Sequence, residues 1–198
     1  MLTTDKKIYC EEKITAIDFV KGSLEDKEFD NCIFENCNFS DATFKHCHFN
    51  DCEFINCNMS MLNIEYSKFI DVAFVGCKLI GINWSRVAWP LFIFNSPIKF
   101  YQCILNDSSF HALILPEIII EECSVQYVDF READLNNANF TNSDFNGSLF
   151  NKTILNRADF TDAVNYQINI LQNEVTKAKF SRFEALNLLH SLDIELVD

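Results

Sequence analysis

Apolar residues recur at every fifth position along most of this chain. The first run begins at Phe19 and ends at Phe94, and after one extra residue a second run begins at Phe100 and ends at Phe160. We call these positions the centres; sixteen lie in the first run and thirteen in the second, and 17 of the chain's 20 phenylalanines occupy them. Neither the 3.6-residue period of a helix nor the 2-residue period of a strand produces this spacing. The chain is therefore a tandem array.

A second selected position lies two residues before each centre and usually holds a small residue, such as Cys32, Ala42, Val72 or Ser143. Residues two apart on an extended chain face the same side, so both positions point inward, and the residue between them points outward. Because the period is odd, the chain must turn a corner in every repeat. Repeated corners close a coil, and successive coils stack like parallel strands about 4.8 Å apart. The pattern predicts an all-β solenoid.

With these features, residues 17–163 resemble the pentapeptide repeat proteins. The resemblance implies a right-handed quadrilateral β-helix in which four repeats form one coil of about 20 residues. The centres then make slightly more than seven coils, or a rod of roughly 35 Å at the strand spacing. We expect a β-helix over residues 1–163 and a short helical cap and dimerisation segment over residues 164–198.

The C-terminal segment contains a helix signal. Ser181 and Glu184 have the spacing of a capping box, which predicts a helix from about Arg182 to Leu192. Such a helix either covers the last coil or meets its copy on a second subunit. Members of the family that this chain resembles commonly form two-fold dimers through this segment, so we expect a homodimer. The dimerisation residues are those of the apolar stripe, Phe183, Leu186 and Leu189 or His190.

Eight of the nine cysteines occupy the small inward position, and Cys10 is out of register. Stacked side chains point the same way, and a reducing cytoplasm keeps thiols reduced, so we interpret these eight as small core residues. The histidines do not pair with cysteines at any zinc-ligand interval. His46 and His48 flank Cys47 but are offset from its inward position, which favours solvated side chains over a thiolate–imidazole pair. We expect no metal and no cofactor.

No catalytic motif is present in the sequence. The four glycines form no phosphate-binding loop, and the serines lack a nucleophile elbow. A binding surface is thus favoured over an enzyme. The sequence also lacks a run of 18 apolar residues and a signal peptide at its N-terminus, so we expect a cytoplasmic protein that does not bind a membrane.

The net charge of −13 is unevenly distributed. Residues 51–100 are neutral, whereas residues 101–150 carry −7. A stiff acidic rod repels nucleic acid and attracts proteins whose basic grooves hold phosphates, although the charge could serve only solubility. We expect no direct binding of nucleic acid. The candidate partner-binding carboxylates are Asp107, Glu117, Glu121, Glu122 and Glu132, of which the last three are expected at solvated corners.

The extra residue between Phe94 and Phe100 lies next to Pro97, with Pro90 and Pro116 on either side. Proline cannot donate to a strand ladder, so we expect a bulge or bend here, with an interruption of one residue. Ile93 and Ile114 occupy outward positions and should share one face in adjacent coils. They form a candidate partner-binding patch, or are covered by the bulge or the C-terminal tail.

The family that this chain resembles includes Qnr, MfpA and McbG, which bind type II topoisomerases and protect them from drugs or toxins. More narrowly, the chain is similar to the albicidin-resistance protein AlbG. The resemblance implies a DNA mimic that binds DNA gyrase and protects it from a poison, although one interrupting residue is much shorter than the projecting loop of Qnr proteins. The alternative is a scaffold module that binds an unrelated protein. The stretches that carry the narrower resemblance are Asn83-Trp84, Trp89-Pro90, residues 103–108, 162–166 and 191–196, and Asp198.

Overall fold

The structure is a computed structural model that describes residues 6–93, 95–192 and 194. Short strands dominate it, and each strand pair that it records is parallel. The strands are β1 Ile8–Cys10, β2 Lys13–Thr15, β3 Ser23–Glu25, β4 Glu28–Asp30, β5 Ile33–Glu35, β6 Thr43–Lys45, β7 His48–Asn50, β8 Glu53–Ile55, β9 Lys68–Ile70, β10 Val72–Val75, β11 Ile98–Tyr101, β12 Ile119–Glu121, β13 Asp159–Phe160 and β14 Lys179–Phe180.

The chain winds through four sides, and each coil stacks on the one before it. The first side contains the sheet β1-β4-β7-β9, and the second side contains the sheet β12-β11-β10-β8-β5-β2. Most strands pair with the strand four repeats further along the chain, as in the pairing of Phe34 with Phe54. The third and fourth sides are held mainly by isolated parallel bridges such as Asn38 to Asn58. The predicted all-β solenoid with about four repeats per coil is confirmed.

The rod has about nine levels rather than slightly more than seven. On the second side the centres run from Ile14 to Phe180, and the ring of Phe180 stacks on that of Phe160 with centroids 5.2 Å apart. Coil stacking therefore continues beyond residue 163. At the other end, Tyr9 and Ile14 are buried centres that precede Phe19. The centres of the second side are Ile14, Phe34, Phe54, Phe74, Phe100, Ile120, Phe140, Phe160 and Phe180.

Stacked rings fill the core of the second side. The ring centroids of Phe34 and Phe54 are 4.5 Å apart, and those of Phe54 and Phe74 are 5.1 Å apart, with nearly parallel planes. Phe100 continues the column at 5.2 Å from Phe74. All four side chains are fully buried. The fold thus obtains much of its stability from large apolar groups that stack on those of the coils above and below them.

The small inward residues also make hydrogen bonds. The Cys52 thiol donates to the carbonyls of Phe29 at 3.4 Å and Asn50 at 3.2 Å, and the Ser143 hydroxyl donates to the Ile120 carbonyl at 2.9 Å. The eight inward thiols are buried and free, whereas Cys10 is exposed. Burial raises the pKa of the Cys52 thiol to about 12 and that of the Cys47 thiol to about 11. These thiols are therefore protonated core groups near neutral pH.

We expect one thiol, Cys10, to react with a thiol-specific reagent in the folded protein, and nine to react after denaturation. Because burial raises the folded pKa of thiols such as Cys52, the unfolded thiols ionise first as pH rises past about 8.5. The stability that these thiols contribute should be constant below that pH and fall between there and pH 12. Urea titrations from about pH 7 to about pH 10.5 measure this. More than one fast-reacting thiol at neutral pH would show that the core is accessible.

The C-terminal segment forms a helix close to the predicted range, Glu184–Leu192, and it is of the 3-10 type. The predicted capping box is wrong, because both of its side chains bind the preceding coil. The Asp162 amide donates to the Ser181 hydroxyl at 2.8 Å, and the Asn165 amide donates to the Glu184 carboxylate at 3.2 Å. The segment is thus attached to the rod end. The side chain of His190 and residues 193 and 195–198 lie outside the described residues.

Two negative findings concern the described residues alone. None of their helices has the length and apolar character needed to cross a bilayer. Within the same part of the chain, no three histidine, cysteine or acidic side chains converge as a metal-ion site would require.

Candidate protein-binding surface

The corners of the coil are formed by residues two after a centre, and the backbone is left-handed at most of them, Arg86 in the 3-10 helix Trp84–Arg86 being an exception. The φ angles of Asp107, Glu117, Glu122 and Glu132 are +61°, +61°, +54° and +62°. This conformation costs a non-glycine residue roughly 1–2 kcal/mol. It is held here by the next coil, since the Glu117 amide donates to the Asn136 carbonyl at 2.7 Å and the other three corner amides bond likewise at 2.9–3.0 Å. A corner side chain is therefore presented outward from a fixed backbone.

The sequence contains a signal for this geometry that the analysis of spacing overlooked. Asparagine, aspartate and glycine recur at the corners, for example at Asn31, Asp51, Asn56, Asp71 and Gly76, and these residue types tolerate a positive φ best. The corner position could thus have been identified from composition alone. Glutamate has no such preference, so its presence at three corners of the acidic segment is not explained by the backbone.

The candidate carboxylates lie on different edges of the rod. Glu117 follows a centre of the first side, Glu122 one of the second, Asp107 one of the third and Glu132 one of the fourth. All four are exposed. They belong to two successive levels near the middle of the rod, so they surround it rather than form one patch. We call these four residues the acidic girdle.

Glu121 differs from the girdle. It ends strand β12, is half-buried and accepts a hydrogen bond from the Asn139 side-chain amide at 3.1 Å. Its expected corner position is therefore wrong, whereas Glu122 and Glu132 do occupy corners. The single basic residue of the segment 101–150, Arg131, binds Asp129 through two N–H bonds of 2.8 Å and holds the pKa of that carboxyl below its usual value. The positive charge of Arg131 is thus paired with Asp129.

The interruption is six residues long, not one. Phe54 pairs with Phe74 in the regular register, which would place residue 94 opposite Phe74, but Phe74 pairs with Phe100 instead. The normal register holds up to Ala88, whose amide donates to the Ser67 carbonyl, and resumes where the Val72 amide donates to the Pro97 carbonyl. Residues 90–95 therefore form a loop on the first side, between the levels of Phe69 and Leu115. The centre Phe94 lies outside the described residues.

Both ends of this loop are fixed to the core. The Trp89 indole N–H donates to the Trp84 carbonyl at 3.0 Å, and the buried Ser96 hydroxyl donates to the Ile98 carbonyl at 3.0 Å. Between them, Leu91 is 94% exposed and Phe92 is 81% exposed. Exposed apolar side chains on an anchored loop are typical of partner contacts. We call Leu91 and Phe92 the apolar tip.

The expected patch of Ile93 and Ile114 is not formed as predicted. Ile93 belongs to the loop and is half-buried against the core, so it holds no outward position in a coil. Ile114 is 60% exposed on the first side, where its neighbour in the next coil is Asp134. The tip residues, which the sequence analysis missed, are the more exposed apolar groups. Comparison of whole coils finds them. The column of Cys57 and Cys77 continues at Cys103 rather than at position 97, so six extra residues, the loop that contains the tip, must lie in between.

The expected dimerisation residues lie at the far end of the rod. Phe183 is 85% exposed and Leu186 is 51% exposed, while Leu189 is half-buried. They are separated from the girdle by several levels. The structure therefore separates the candidate dimer surface from the candidate partner surface along the chain.

Sequence comparison with family models matches the description "Pentapeptide repeat region" over residues 27–96 and 86–160. Search of the curated proteins finds no significant match. Structural similarity extends to a trypsin-treated variant of QnrB1, a plasmid-mediated fluoroquinolone resistance protein, with a TM-score of 0.65, 17% identity and coverage of 96% of this chain and 98% of that one. HetL, involved in heterocyst differentiation regulation in Nostoc sp. strain PCC 7120, matches with a TM-score of 0.55, 14% identity, and coverage of 87% and 84%.

At these identities the solved structures support the fold alone. The structure of a second trypsin-treated QnrB1 variant gives the same result, with a TM-score of 0.54, 19% identity and coverage of 96% of this chain and 98% of that one. None of these comparisons concerns the albicidin-resistance protein specifically, so that narrower resemblance rests on the sequence motifs alone.

Proposed function

Because the chain belongs to the pentapeptide repeat family, we propose that it is a DNA mimic that binds DNA gyrase, a type II topoisomerase, and protects it from a poison. The rod would occupy the basic saddle that normally takes a DNA segment. This proposal includes a cytoplasmic location and a homodimer formed through Phe183, Leu186 and Leu189, of which Phe183 and Leu186 are exposed and suit a two-fold contact. The narrower resemblance makes albicidin the first poison to test.

The observation that supports this proposal is the charge density of the girdle region. Residues 101–150 carry −7 and span two and a half coils, which is about 12 Å at the strand spacing of ~4.8 Å. That is one charge per roughly 1.7 Å, the value for double-stranded DNA along its axis. The girdle holds four of the eight carboxylates of this segment and places them on different edges of the rod, as phosphates surround a duplex.

A supercoiling assay with purified gyrase tests the proposal. We expect the protein to inhibit supercoiling at micromolar concentration, because it competes with DNA. At lower protein concentration, we expect it to restore the activity of gyrase in the presence of a poison. Heat-unfolded protein at the same concentration controls for non-specific effects of its charge. If the folded protein neither inhibits the enzyme nor relieves the poison, the gyrase proposal is wrong.

A scaffold module for an unrelated protein is the second candidate, and the apolar tip favours it. Leu91 and Phe92 would insert into an apolar pocket of any partner that matches their shape. In that case the girdle serves solubility. This candidate predicts that the purified protein does not bind gyrase. If gyrase is the partner, the same tip should contact it.

We expect the double change Leu91→Asn and Phe92→Asn to weaken gyrase binding by about tenfold or more, since buried apolar anchors carry much of the energy of an interface. The free energy of unfolding should move by less than about 0.5 kcal/mol, because both side chains are exposed. Calorimetry or surface binding with gyrase gives the first quantity and urea unfolding the second. Met61→Gln, at an exposed apolar corner of another side, is the matched control. Equal affinity of the loop variant and wild type would remove the tip from the interface.

A further inference from the structure

The second side of the rod has an apolar outer surface. Its strands β2, β5, β8, β10, β11 and β12 form one continuous sheet. On the fourth side, the outward residues of the same levels are polar, for example Lys45, Asn63 and Glu65. The outer face of a solenoid sheet is ordinarily polar, as on the fourth side, so this apolar surface indicates a partner. The half-buried apolar residues that point outward on the second side are Ile33, Ile55, Ala73, Val75, Tyr101 and Ile119.

These outward residues form two columns along the rod. In each column, similar or complementary residue types lie at equal distances above and below β10. The column preceding the centres runs Ile33, Glu53, Ala73, Lys99, Ile119. Glu53 and Lys99, a carboxylate and an ammonium, lie on either side of Ala73 in this column. The two isoleucines, Ile33 and Ile119, lie one level beyond them.

The column following the centres has a similar arrangement about Val75. Ile55 and Tyr101 flank it, and Glu35 and Glu121 come next. An apolar pair thus surrounds an apolar centre. The symmetry of both columns has its midpoint at the same strand, β10.

From this pattern we propose that the second side docks face to face on the second side of another copy, with the two rods antiparallel and a two-fold axis along β10. Rotation about that axis keeps each residue in its own column and exchanges the levels above and below β10. Glu53 then faces Lys99 of the other copy, Ile33 faces Ile119, and Ile55 faces Tyr101. Val75 faces its own counterpart. The contact goes beyond the proposed gyrase function and lies apart from the C-terminal segment.

A parallel arrangement of the two rods fits the same surface poorly. It would exchange the two columns within each level and place Glu53 over Ile55, Glu35 over Ile33, and Glu121 over Ile119. Each of these contacts places a carboxylate against an apolar side chain of the other copy rather than against an opposite charge, which is costly. The antiparallel arrangement has one kind of like-charged contact, Glu35 with Glu121, which the two-fold axis repeats, and Lys13 lies 3.0 Å from Glu35 to offset it. Charge complementarity therefore selects the antiparallel dimer.

The contact should be weak. Six strands spaced about 4.8 Å apart make a stripe of roughly 24 Å along the rod, which is small for the roughly 800 Å² per partner that a stable interface buries. The backbone groups of the sheet are already bonded within each copy, so side chains alone provide the attraction. Association is thus expected at high micromolar concentration, where a cross-link detects it better than a size measurement.

Disulfide trapping tests the proposal in a Cys10→Ser background, which removes the exposed native thiol. Val75→Cys places a thiol beside its own counterpart, so mild oxidation should yield covalent dimers at least tenfold faster than Ser85→Cys, an exposed position on the fourth side. Both variants keep the C-terminal segment, so dimerisation there affects them equally. Equal rates for the two would overturn the proposal.

Two further arms fix the geometry. Ile55→Cys and Tyr101→Cys, carried on copies of different size, should form a mixed disulfide together and little dimer alone; the opposite outcome excludes the antiparallel arrangement. In the Val75→Cys background, Glu53→Lys or Lys99→Glu alone should slow trapping several-fold through like-charged pairs. The double change should restore the rate, and failure to restore it would refute the charge pairing.

Discussion

Replacing Phe54 by alanine is expected to lower the free energy of unfolding by about 3–5 kcal/mol, the range for buried Phe→Ala changes. The ring is fully buried and stacks between Phe34 and Phe74 at 4.5 Å and 5.1 Å, so its removal leaves two faces without contact. Adjacent coils are tied by strand ladders and relax little into the cavity. Urea unfolding followed by circular dichroism measures the change.

Cys52→Ala is the control for this prediction, because it alters a neighbouring inward position of the same repeat. The change removes one sulfur and two long hydrogen bonds from the thiol, so we expect a loss well below that of Phe54→Ala. A loss as large as that of Phe54→Ala would mean that the thiols have a structural role beyond filling space. A loss below about 1 kcal/mol for Phe54→Ala would contradict the proposed importance of the aromatic columns.

The regular part of the fold follows from the sequence because one rule governs each repeat. A large centre and a small residue two before it bury their side chains on every side of the coil, and all the described centres between Leu24 and Leu79 are buried. The rule loses force at the ends. Tyr9 and Ile14 keep the spacing of five, but Lys7 and Glu12 occupy their small positions, so the first coil was not recognised.

The irregular parts required information from other coils. The spacing of centres around Phe94 shows one extra residue. The strand ladder nevertheless leaves six residues out of the coil, because a whole five-residue repeat protrudes together with the extra residue. A pentapeptide period cannot distinguish a repeat that stacks from one that protrudes. Similarly, Ser181 and Glu184 satisfy a local helix rule, but their side chains bind Asp162 and Asn165 of the previous coil instead. Tertiary hydrogen bonds override the local signal in such cases.

For the candidate partner surface, the sequence selects carboxylates but does not predict their arrangement. Charge counting selects Asp107, Glu117, Glu121, Glu122 and Glu132, and the structure places all of these except Glu121 at corners on four different edges. The edge that each carboxylate occupies depends on the side of the coil that its repeat forms. That side can be assigned only when the level at which the loop shifts the register is known. The test of the girdle must therefore change all four edges together.

We expect the quadruple change Asp107→Asn, Glu117→Gln, Glu122→Gln and Glu132→Gln to weaken gyrase binding by about fivefold or more at low salt. Exposed charge pairs contribute roughly 0.2–1 kcal/mol each, so four of them amount to about 1–4 kcal/mol, and about 1.4 kcal/mol corresponds to tenfold in affinity. Screening at ionic strengths near 1 M already suppresses these contacts, so the variant should show a shallower salt dependence than the wild type. Titrations from about 50 mM to about 500 mM salt measure both effects.

The matched control removes four charges from corners at the other end of the rod, with Glu11→Gln, Asp26→Asn, Asp41→Asn and Asp51→Asn. These residues share the left-handed backbone of the girdle, with φ between +48° and +56°, so the two variants have the same net charge and comparable strain. If binding depends on the density of charge between residues 101 and 150, the control loses less affinity than the girdle variant. Equal losses would assign the effect to net charge alone, and no loss in either variant would exclude electrostatic mimicry of DNA and leave the apolar tip as the basis of binding.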